Sequence, residues 1–281
     1  MDRAFRTGDS PLLVACTVAG DPDFAESIRI ARCLAAAGAD MLELVMPFSD
    51  PVADGPVIQK AGARALAAGM TPDLLFALVS EVRKTTGIPL LIMTYANIVF
   101  QRGIVRFYQD AARAGADAVV IADVPAEEAA PFCDAALLAG IDPIFFVSPT
   151  TSPERMELIL SRAQGFIYLV AAMGVTGVRE GVAPETLATL RAVKQRTTVP
   201  VVPGFGISAP GHIRIYDDAG ADGVIVGSAI VGIVDRYAGR PEEMEEAVGR
   251  LIRELKGASR RERDESFLQP HPGAFQGSRE G

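Results

Sequence analysis

The chain has 281 residues, 49% of them hydrophobic, and a net charge of −8. This acidity disfavours binding to nucleic acid or to an anionic membrane, and no apolar run reaches the length of a membrane span. The N-terminus lacks a signal-peptide core, and three widely spaced cysteines form no disulfide or metal-binding pattern, so we expect a cytoplasmic protein.

Histidine and lysine are scarce in this chain. The two histidines, His212 and His271, disfavour a Ser-His-Asp triad or a multi-histidine metal site. None of the four lysines lies on a predicted core strand, where a Schiff-base aldolase usually holds its lysine. Proton transfer is therefore left to carboxylates and tyrosines.

Eight short apolar segments predict β-strands. The first is in 11–20, and three more follow an alanine-rich helix end and Gly-Ala-Asp, within 35–45, 112–123 and 217–228. Four further strands are predicted within 84–95, 137–148, 162–170 and 195–206. Helices are predicted over 24–37, 73–84, 103–114, 126–139, 153–162, 184–195, 209–219 and 241–256.

This alternation of strand and helix predicts an α/β fold with a parallel sheet. Eight such units predict a single-domain (β/α)8 TIM barrel over residues 1–257. An open doubly wound sheet is the alternative, although no GxGxxG follows the first strand. Residues 258–281 are charged and then rich in proline and glycine, which predicts a flexible C-terminal tail.

Glu43 interrupts the second apolar run. Side chains alternate along a strand, so Met41, Glu43 and Val45 should face the barrel interior while Leu42 and Leu44 pack against helices. An apolar setting raises the pKa of a carboxyl group and suits it to exchange protons with a substrate. The alternative is a structural ion pair with an arginine, but no arginine or lysine lies at a predicted strand end.

A loop stiffened by proline follows this strand and carries Asp50 and Asp54. Pro51 and Pro56 restrict its backbone, which could hold a second carboxylate over a pocket. The alternative for both aspartates is helix capping or a turn hydrogen bond.

Glycine-rich segments follow the seventh and eighth strands, at 204–208 and 227–231. TIM barrels commonly bind phosphate at these two strand ends. Neither segment contains lysine or arginine, so the anion would be held by backbone N–H groups, helix dipoles and the Ser228 hydroxyl.

The segment PFSDPVADGPVIQ at 47–59, preceded by LEL, resembles the signature of the tryptophan synthase alpha subunit family. Six shorter motifs occur in the family's order, and the similarity covers about residues 10–255. These motifs are AGDP (19–22), YAN (95–97), ADVP (122–125), GVTG (174–177), GFGIS (204–208) and GSAIV (227–231).

The resemblance implies a carbon–carbon lyase of tryptophan biosynthesis that cleaves indole-3-glycerol phosphate to indole and glyceraldehyde 3-phosphate by a retro-aldol step. It implies that Glu43 transfers protons and that Asp54 accepts a hydrogen bond from the indole N–H. It also implies that Thr176 lies in a loop that closes over the substrate and orients Asp54. The implied substrate- and phosphate-binding residues are Tyr95, Tyr168, Thr176, Gly177, Gly204, Phe205, Gly206, Gly227 and Ser228.

The same resemblance implies a partner, a pyridoxal-phosphate-containing β subunit in an α2β2 heterotetramer, and no metal or cofactor in this chain. The sequence departs from the family pattern at Val45, at CTV (16–18) and at AAM (171–173), which would alter the indole pocket or loop closure. Three alternatives stay open: a stand-alone indole-3-glycerol phosphate lyase, another phosphate-binding barrel enzyme, and a non-catalytic allosteric subunit.

Overall fold

A computed structural model describes residues 4–5, 11–171, 182–204 and 206–259. Eight parallel strands pair in chain order, and β8 pairs with β1 to close the barrel. This confirms the predicted (β/α)8 TIM barrel. The strands are β1 (Leu12–Val18), β2 (Met41–Val45), β3 (Leu90–Thr94), β4 (Ala118–Ile121), β5 (Asp142–Val147), β6 (Ile167–Val170), β7 (Val201–Gly204) and β8 (Gly223–Val226).

Eleven α-helices lie within the described residues, together with a 3-10 turn over Ala126–Glu128. The first six are α1 (Phe24–Ala36), α2 (Pro56–Ala67), α3 (Pro72–Arg83), α4 (Ala96–Arg102), α5 (Ile104–Ala114) and α6 (Ala130–Ala139). The other five are α7 (Pro153–Arg162), α8 (Pro184–Lys194), α9 (Pro210–Asp218), α10 (Ser228–Arg236) and α11 (Pro241–Ser259).

The bounds of three of these helices, α2, α4 and α10, were not predicted from the sequence. The buried face of α2 consists of Ala61, Gly62 and Ala65, so the helix lacks the bulky apolar periodicity on which the prediction depends. Pro56 is the first residue of α2, a position at which proline is favoured. In the sequence, however, a proline there is equally consistent with a continuation of the preceding loop. The α4 helix has seven residues. For α10 the sequence indicated a helix start at 227–231, where Gly227 caps the helix, but it gave no bounds for the helix.

The strand register brings the interior residues of neighbouring strands side by side. Cys16 of β1 pairs with Glu43 of β2, which pairs in turn with Leu91 of β3. On the opposite wall, Phe146 of β5 pairs with Tyr168 of β6. The predicted alternation in β2 is confirmed, because Glu43 and Val45 both line the barrel's central cavity.

An ion-pair network around the buried Asp21 connects three segments at the top of the barrel. Asp21, which is 1% exposed in the loop after β1, accepts from Arg64 Nε at 2.8 Å and from its Nη2 at 2.9 Å. Arg64 of α2 also donates to Asp235 of α10 at 2.6 Å, and Lys60 donates to the other Asp235 oxygen at 2.8 Å. The helix after the Asp54 loop and the helix after β8 are therefore joined through one guanidinium group.

The C-terminal helix α11 continues to Ser259, and residues 260–281 lie outside the described part of the chain. The flexible tail over 258–281 stays a prediction. No single described helix is long and apolar enough to cross a membrane; only the bent pair α2–α3, at 103°, reaches that length and composition in combination.

Candidate active site

A cavity of about 330 Å³ opens at the C-terminal ends of the strands. This is the end of a TIM barrel at which active sites are found. Its wall combines two acidic side chains, an apolar side and a glycine-rich side. Its lining residues include Cys16, Glu43, Val45, Asp54, Met93, Tyr168, Gly206, Ile225, Gly227 and Ser228.

Glu43 is fully buried and lines this cavity, and neither carboxylate oxygen has a hydrogen-bond partner among the described residues. Burial raises its pKa from 4.5 to about 8, a shift that the nearby Cys16 thiol and Tyr168 hydroxyl oppose and the Asp54 charge reinforces. No arginine or lysine of the described chain pairs with it, so the structural ion pair considered as its alternative role is absent there. An unpaired carboxyl group in this setting can hold or release a proton near neutral pH.

Asp54 is half-buried in the loop above Glu43 and faces the same cavity. Burial raises its pKa, and hydrogen bonding with the Tyr95 hydroxyl opposes that shift. The Tyr95 ring stacks on Phe48 at 5.1 Å, and its hydroxyl accepts from the Ala53 N–H at 3.3 Å. Tyr95 is fully buried and contacts the loop without lining the cavity. It therefore supports the backbone that carries Asp54.

Tyr168 of β6 stands beside Glu43 and packs against Phe146 at a ring-centroid distance of 4.7 Å. Burial raises its pKa, and the charge of Glu43 raises it further, so the phenol stays protonated. A Cβ atom on Gly204 would lie 2.6 Å from Tyr168 Cε1. Gly204 therefore leaves the space that the Tyr168 ring occupies.

We expect Gly204→Ala to lower the free energy of unfolding by about 1–3 kcal/mol and to displace the Tyr168 ring. Denaturant titration measures the stability loss. Gly232→Ala is the matched control, because Gly232 lies within α10 with open space around its Cβ position. That control should gain up to about 1 kcal/mol from its better helix propensity. Equal stability in the two variants would contradict the prediction.

The glycine-rich side of the cavity lies at the ends of β7 and β8. Gly227 caps the N-terminus of α10, and Ser228 is the first residue of that helix. Gly206 has a φ of 74°, in the left-handed region that glycine adopts readily. No described lysine or arginine lines the cavity, so an anion here would be bound by backbone N–H groups and the helix dipole.

Three predicted site residues, Thr176, Gly177 and Phe205, lie outside the described residues. Sequence reasoning missed Met93 and Ile225 as cavity-lining residues, because apolar strand positions look alike in the sequence. Of the departures from the family pattern, Cys16 and Val45 line the cavity. A Cβ atom on Gly227 would lie 3.3 Å from Cys16 Sγ, so Cys16 contacts the glycine-rich side.

A family model for the tryptophan synthase alpha chain matches residues 4–260 of this sequence. The chain belongs to the tryptophan synthase alpha chain family. It is 49% identical to the alpha chain of Methanoregula boonei over 259 residues, which are 92% of this chain and 98% of that protein. It is 45% identical to the alpha chain of Methanothermobacter thermautotrophicus, over 90% of this chain and 94% of that one.

Solved structures of the tryptophan synthase alpha chain superpose on the barrel. The Legionella pneumophila alpha subunit matches with a TM-score of 0.83 at 34% identity, over 92% of this chain and 97% of that one. A Pyrococcus furiosus chain, from a study of mutual activation in the tryptophan synthase α2β2 complex, gives a TM-score of 0.84 at 34% identity, over 88% and 98%. Family membership gives this chain a lyase role in tryptophan synthesis.

Proposed function

We propose that this chain cleaves indole-3-glycerol phosphate to indole and glyceraldehyde 3-phosphate. The observation that carries the proposal is the unpaired, buried Glu43 carboxyl, which shares a cavity with half-buried Asp54. One cavity thus offers a proton-transfer group, a second acid for a developing positive charge and a helix N-terminus for a phosphate. The match to the tryptophan synthase alpha chain family supports the same reaction.

In the proposed reaction, a proton is added to C3 of the indole ring, which places positive charge on the ring nitrogen. Asp54 accepts a hydrogen bond from the ring N–H and stabilises that charge. Ionised Glu43 takes the proton of the hydroxyl group on the carbon next to the ring and passes it to C3, so the carboxylate is restored. The bond between C3 and this carbon then breaks, its electrons neutralise the ring, and the carbinol carbon becomes the aldehyde.

The glycine-rich side binds the phosphate in this proposal. Gly206, Gly227 and Ser228 lie on the described wall of the cavity and can present N–H groups and a hydroxyl. The family resemblance adds Gly177 and Phe205 to this side and gives Thr176 the role of orienting Asp54 when its loop closes. Tyr168 packs beside Glu43 and limits the space in which the glycerol carbons can lie.

We further propose a β subunit as partner in an α2β2 assembly, with pyridoxal phosphate held by that partner. The Pyrococcus furiosus relative comes from such a complex. Apolar side chains are exposed on the segments beside the cavity: Val52 is 79% exposed and Phe100 is 58% exposed. Sedimentation of the chain with and without a β subunit tests this, and an unchanged sedimentation coefficient on mixing would contradict it.

The decisive experiment measures indole release from indole-3-glycerol phosphate by the purified chain, alone and with a β subunit. Slow release that the partner accelerates is the expected result, because loop closure then depends on the complex. Fast release by the chain alone would favour a stand-alone lyase. No release under either condition would contradict the proposed reaction.

The proposed role of Glu43 also predicts the pH profile of the reaction. Since its pKa is about 8 and the base must be ionised, kcat/KM should rise about tenfold per pH unit below that value and level off above it. Initial rates at low substrate concentration, from pH 6 to 9 at constant ionic strength, measure this. A profile that is flat across that range would show that Glu43 is not the titrating base.

A further inference from the structure

A second cavity lies outside the barrel, between β4 and β5 and the helices that cover them. Its volume is about 340 Å³, close to the 330 Å³ of the central cavity. Val119 and Phe145 line it from the outer face of the sheet, and Phe132 and Cys133 of α6 line it from the helix layer. Part of this cavity is open to solvent, so a small molecule can enter it.

Small side chains on the connection between β4 and α6 leave this space open. Ala126 and Ala129 are both buried, and both line the cavity where larger residues would fill it. Arg162 of α7 donates a hydrogen bond to the Ala126 carbonyl, which ties the 3-10 turn to the neighbouring helix. The segment is thus held in place, although its side chains do not fill the space.

Three buried aromatic side chains form part of the wall of the second cavity. Tyr108 of α5, Phe132 of α6 and Phe145 of β5 are 2%, 5% and 8% exposed, and all three rings line it. Aromatic rings of this kind pack favourably against a flat aromatic molecule. A ligand that carried a phosphate or another full charge would have to desolvate that charge against these walls, which is costly.

The mouth of the second cavity is polar. Arg155 donates to Glu127 at 2.9 Å across one side of it, and Asp123 lies exposed on the other. Asp123 Oδ1 accepts from the Ala96 N–H at 2.7 Å, and Oδ2 makes no hydrogen bond with the described residues. This oxygen can accept a hydrogen bond from an N–H or O–H group of a molecule that enters the cavity.

We propose that the second cavity binds a small, flat, uncharged aromatic molecule that carries one N–H or O–H group. The ring lies among Tyr108, Phe132 and Phe145, and the donor points to Asp123. This site is separate from the central cavity, and the proposal does not rest on the reaction proposed above. Its volume falls within the range of small-molecule sites, which begins at about 300 Å³.

The three cysteines provide a direct test with indole as the probe. Cys133 lines the second cavity, Cys16 lines the central one, and Cys33 lines neither. Thiol alkylation of the wild-type protein is followed for each cysteine by peptide mass spectrometry at one pH, because burial raises the pKa of all three thiols. We expect indole to slow Cys133 alkylation severalfold in a saturable manner while the Cys33 rate stays unchanged.

Two results of this labelling would overturn the proposal. One is an unchanged Cys133 rate at every indole concentration. The other is equal slowing of Cys133 and Cys33, which would mean that indole acts on global stability through the central cavity.

A variant that fills the second cavity gives an independent measurement. Ala129→Phe should reduce the number of indole molecules bound in equilibrium dialysis by one and leave indole-3-glycerol phosphate cleavage unchanged. Leu138→Phe, at an 87% exposed position of the helix α6 that follows Ala129, is the matched control and should keep the wild-type stoichiometry. Indole is measured by its own fluorescence, since the chain contains no tryptophan. Unchanged stoichiometry in a folded Ala129→Phe protein would contradict the proposal.

Discussion

Glu43→Gln should abolish most of the indole release, with a loss of about 1,000-fold in kcat and a KM within a few-fold of wild type. The amide has nearly the shape of the carboxyl group, so the cavity should keep its volume. The amide cannot exchange a proton, however, and the proposed reaction needs a proton-transfer group at this position. Steady-state kinetics with indole-3-glycerol phosphate measures the effect. A variant that keeps more than a tenth of the wild-type kcat would contradict the proton-transfer role.

The same substitution should change the pH dependence of stability. The pKa of Glu43 is about 8 in the folded protein and near 4.5 when exposed, so between these values the unfolded chain binds fewer protons than the folded one. The wild-type free energy of unfolding therefore falls as pH rises from 4.5 to 8, by up to about 1.4 kcal/mol per pH unit from this group. Glu43→Gln lacks this contribution, so its stability relative to wild type should increase across that window.

Glu81→Gln is the matched control for both measurements. Glu81 lies on the exposed side of α3, where Lys84 and Arg32 keep its pKa below the usual value. Its replacement should leave kcat unchanged and reproduce none of the stability gain. Equal behaviour of the two glutamine variants would mean that the burial of Glu43 has no energetic consequence.

Asp54→Asn should lower kcat by about 100-fold. In the proposed reaction Asp54 faces the positive charge that develops on the ring nitrogen, and a neutral amide stabilises that charge less well. Asp50→Asn, in the same loop, is the control: Asp50 accepts a hydrogen bond from its neighbour Ser49 and does not line the cavity. Single-turnover kinetics with the folded variants separates this effect from slow product release. Similar losses in both variants would indicate a damaged loop and not a role for the Asp54 charge.

A substitution of Tyr95 measures how much the position of the Asp54 loop contributes to kcat/KM, separately from the Asp54 charge. Its hydroxyl accepts from the Ala53 N–H and lies next to Asp54, so Tyr95→Phe should loosen the loop without removing the charge. We expect a loss of a few-fold in kcat/KM, well below that of Asp54→Asn. A loss as large as that of the aspartate variant would assign the effect to loop position.

The barrel and its acidic centre could be predicted because both depend on local patterns. Short apolar runs between amphipathic segments predict parallel strands. Successive side chains of a strand point to opposite faces, which predicts that Glu43 and Val45 of β2 share the interior face. The structure confirms both. Helix α2 could not be predicted in this way, since Ala61, Gly62 and Ala65 bury little side-chain area and produce no bulky apolar stripe.

The features that depend on the tertiary arrangement were not predictable. Asp54 and Tyr95 are separated by about forty positions, and only the folded chain shows that the phenol supports the loop of the acid. Met93 and Ile225 resemble any other strand residue until the barrel closes around the cavity. The second cavity depends on the distance between the sheet and the helices that cover it. Ala126 and Ala129 line this cavity, but nothing in the sequence around them indicates that distance.

The Arg64 network sets a fixed distance across the top of the barrel. One guanidinium group joins the loop after β1 to the helix that follows Asp54 and to the helix that begins at Ser228. Moving these segments apart would separate the buried Asp21 carboxylate from the Arg64 guanidinium group. A buried carboxylate without its partner is strongly destabilising. A new substrate of different length could therefore be accommodated only through the side wall. Adaptation of this enzyme should accordingly be concentrated at positions on that wall, such as Cys16 and Val45.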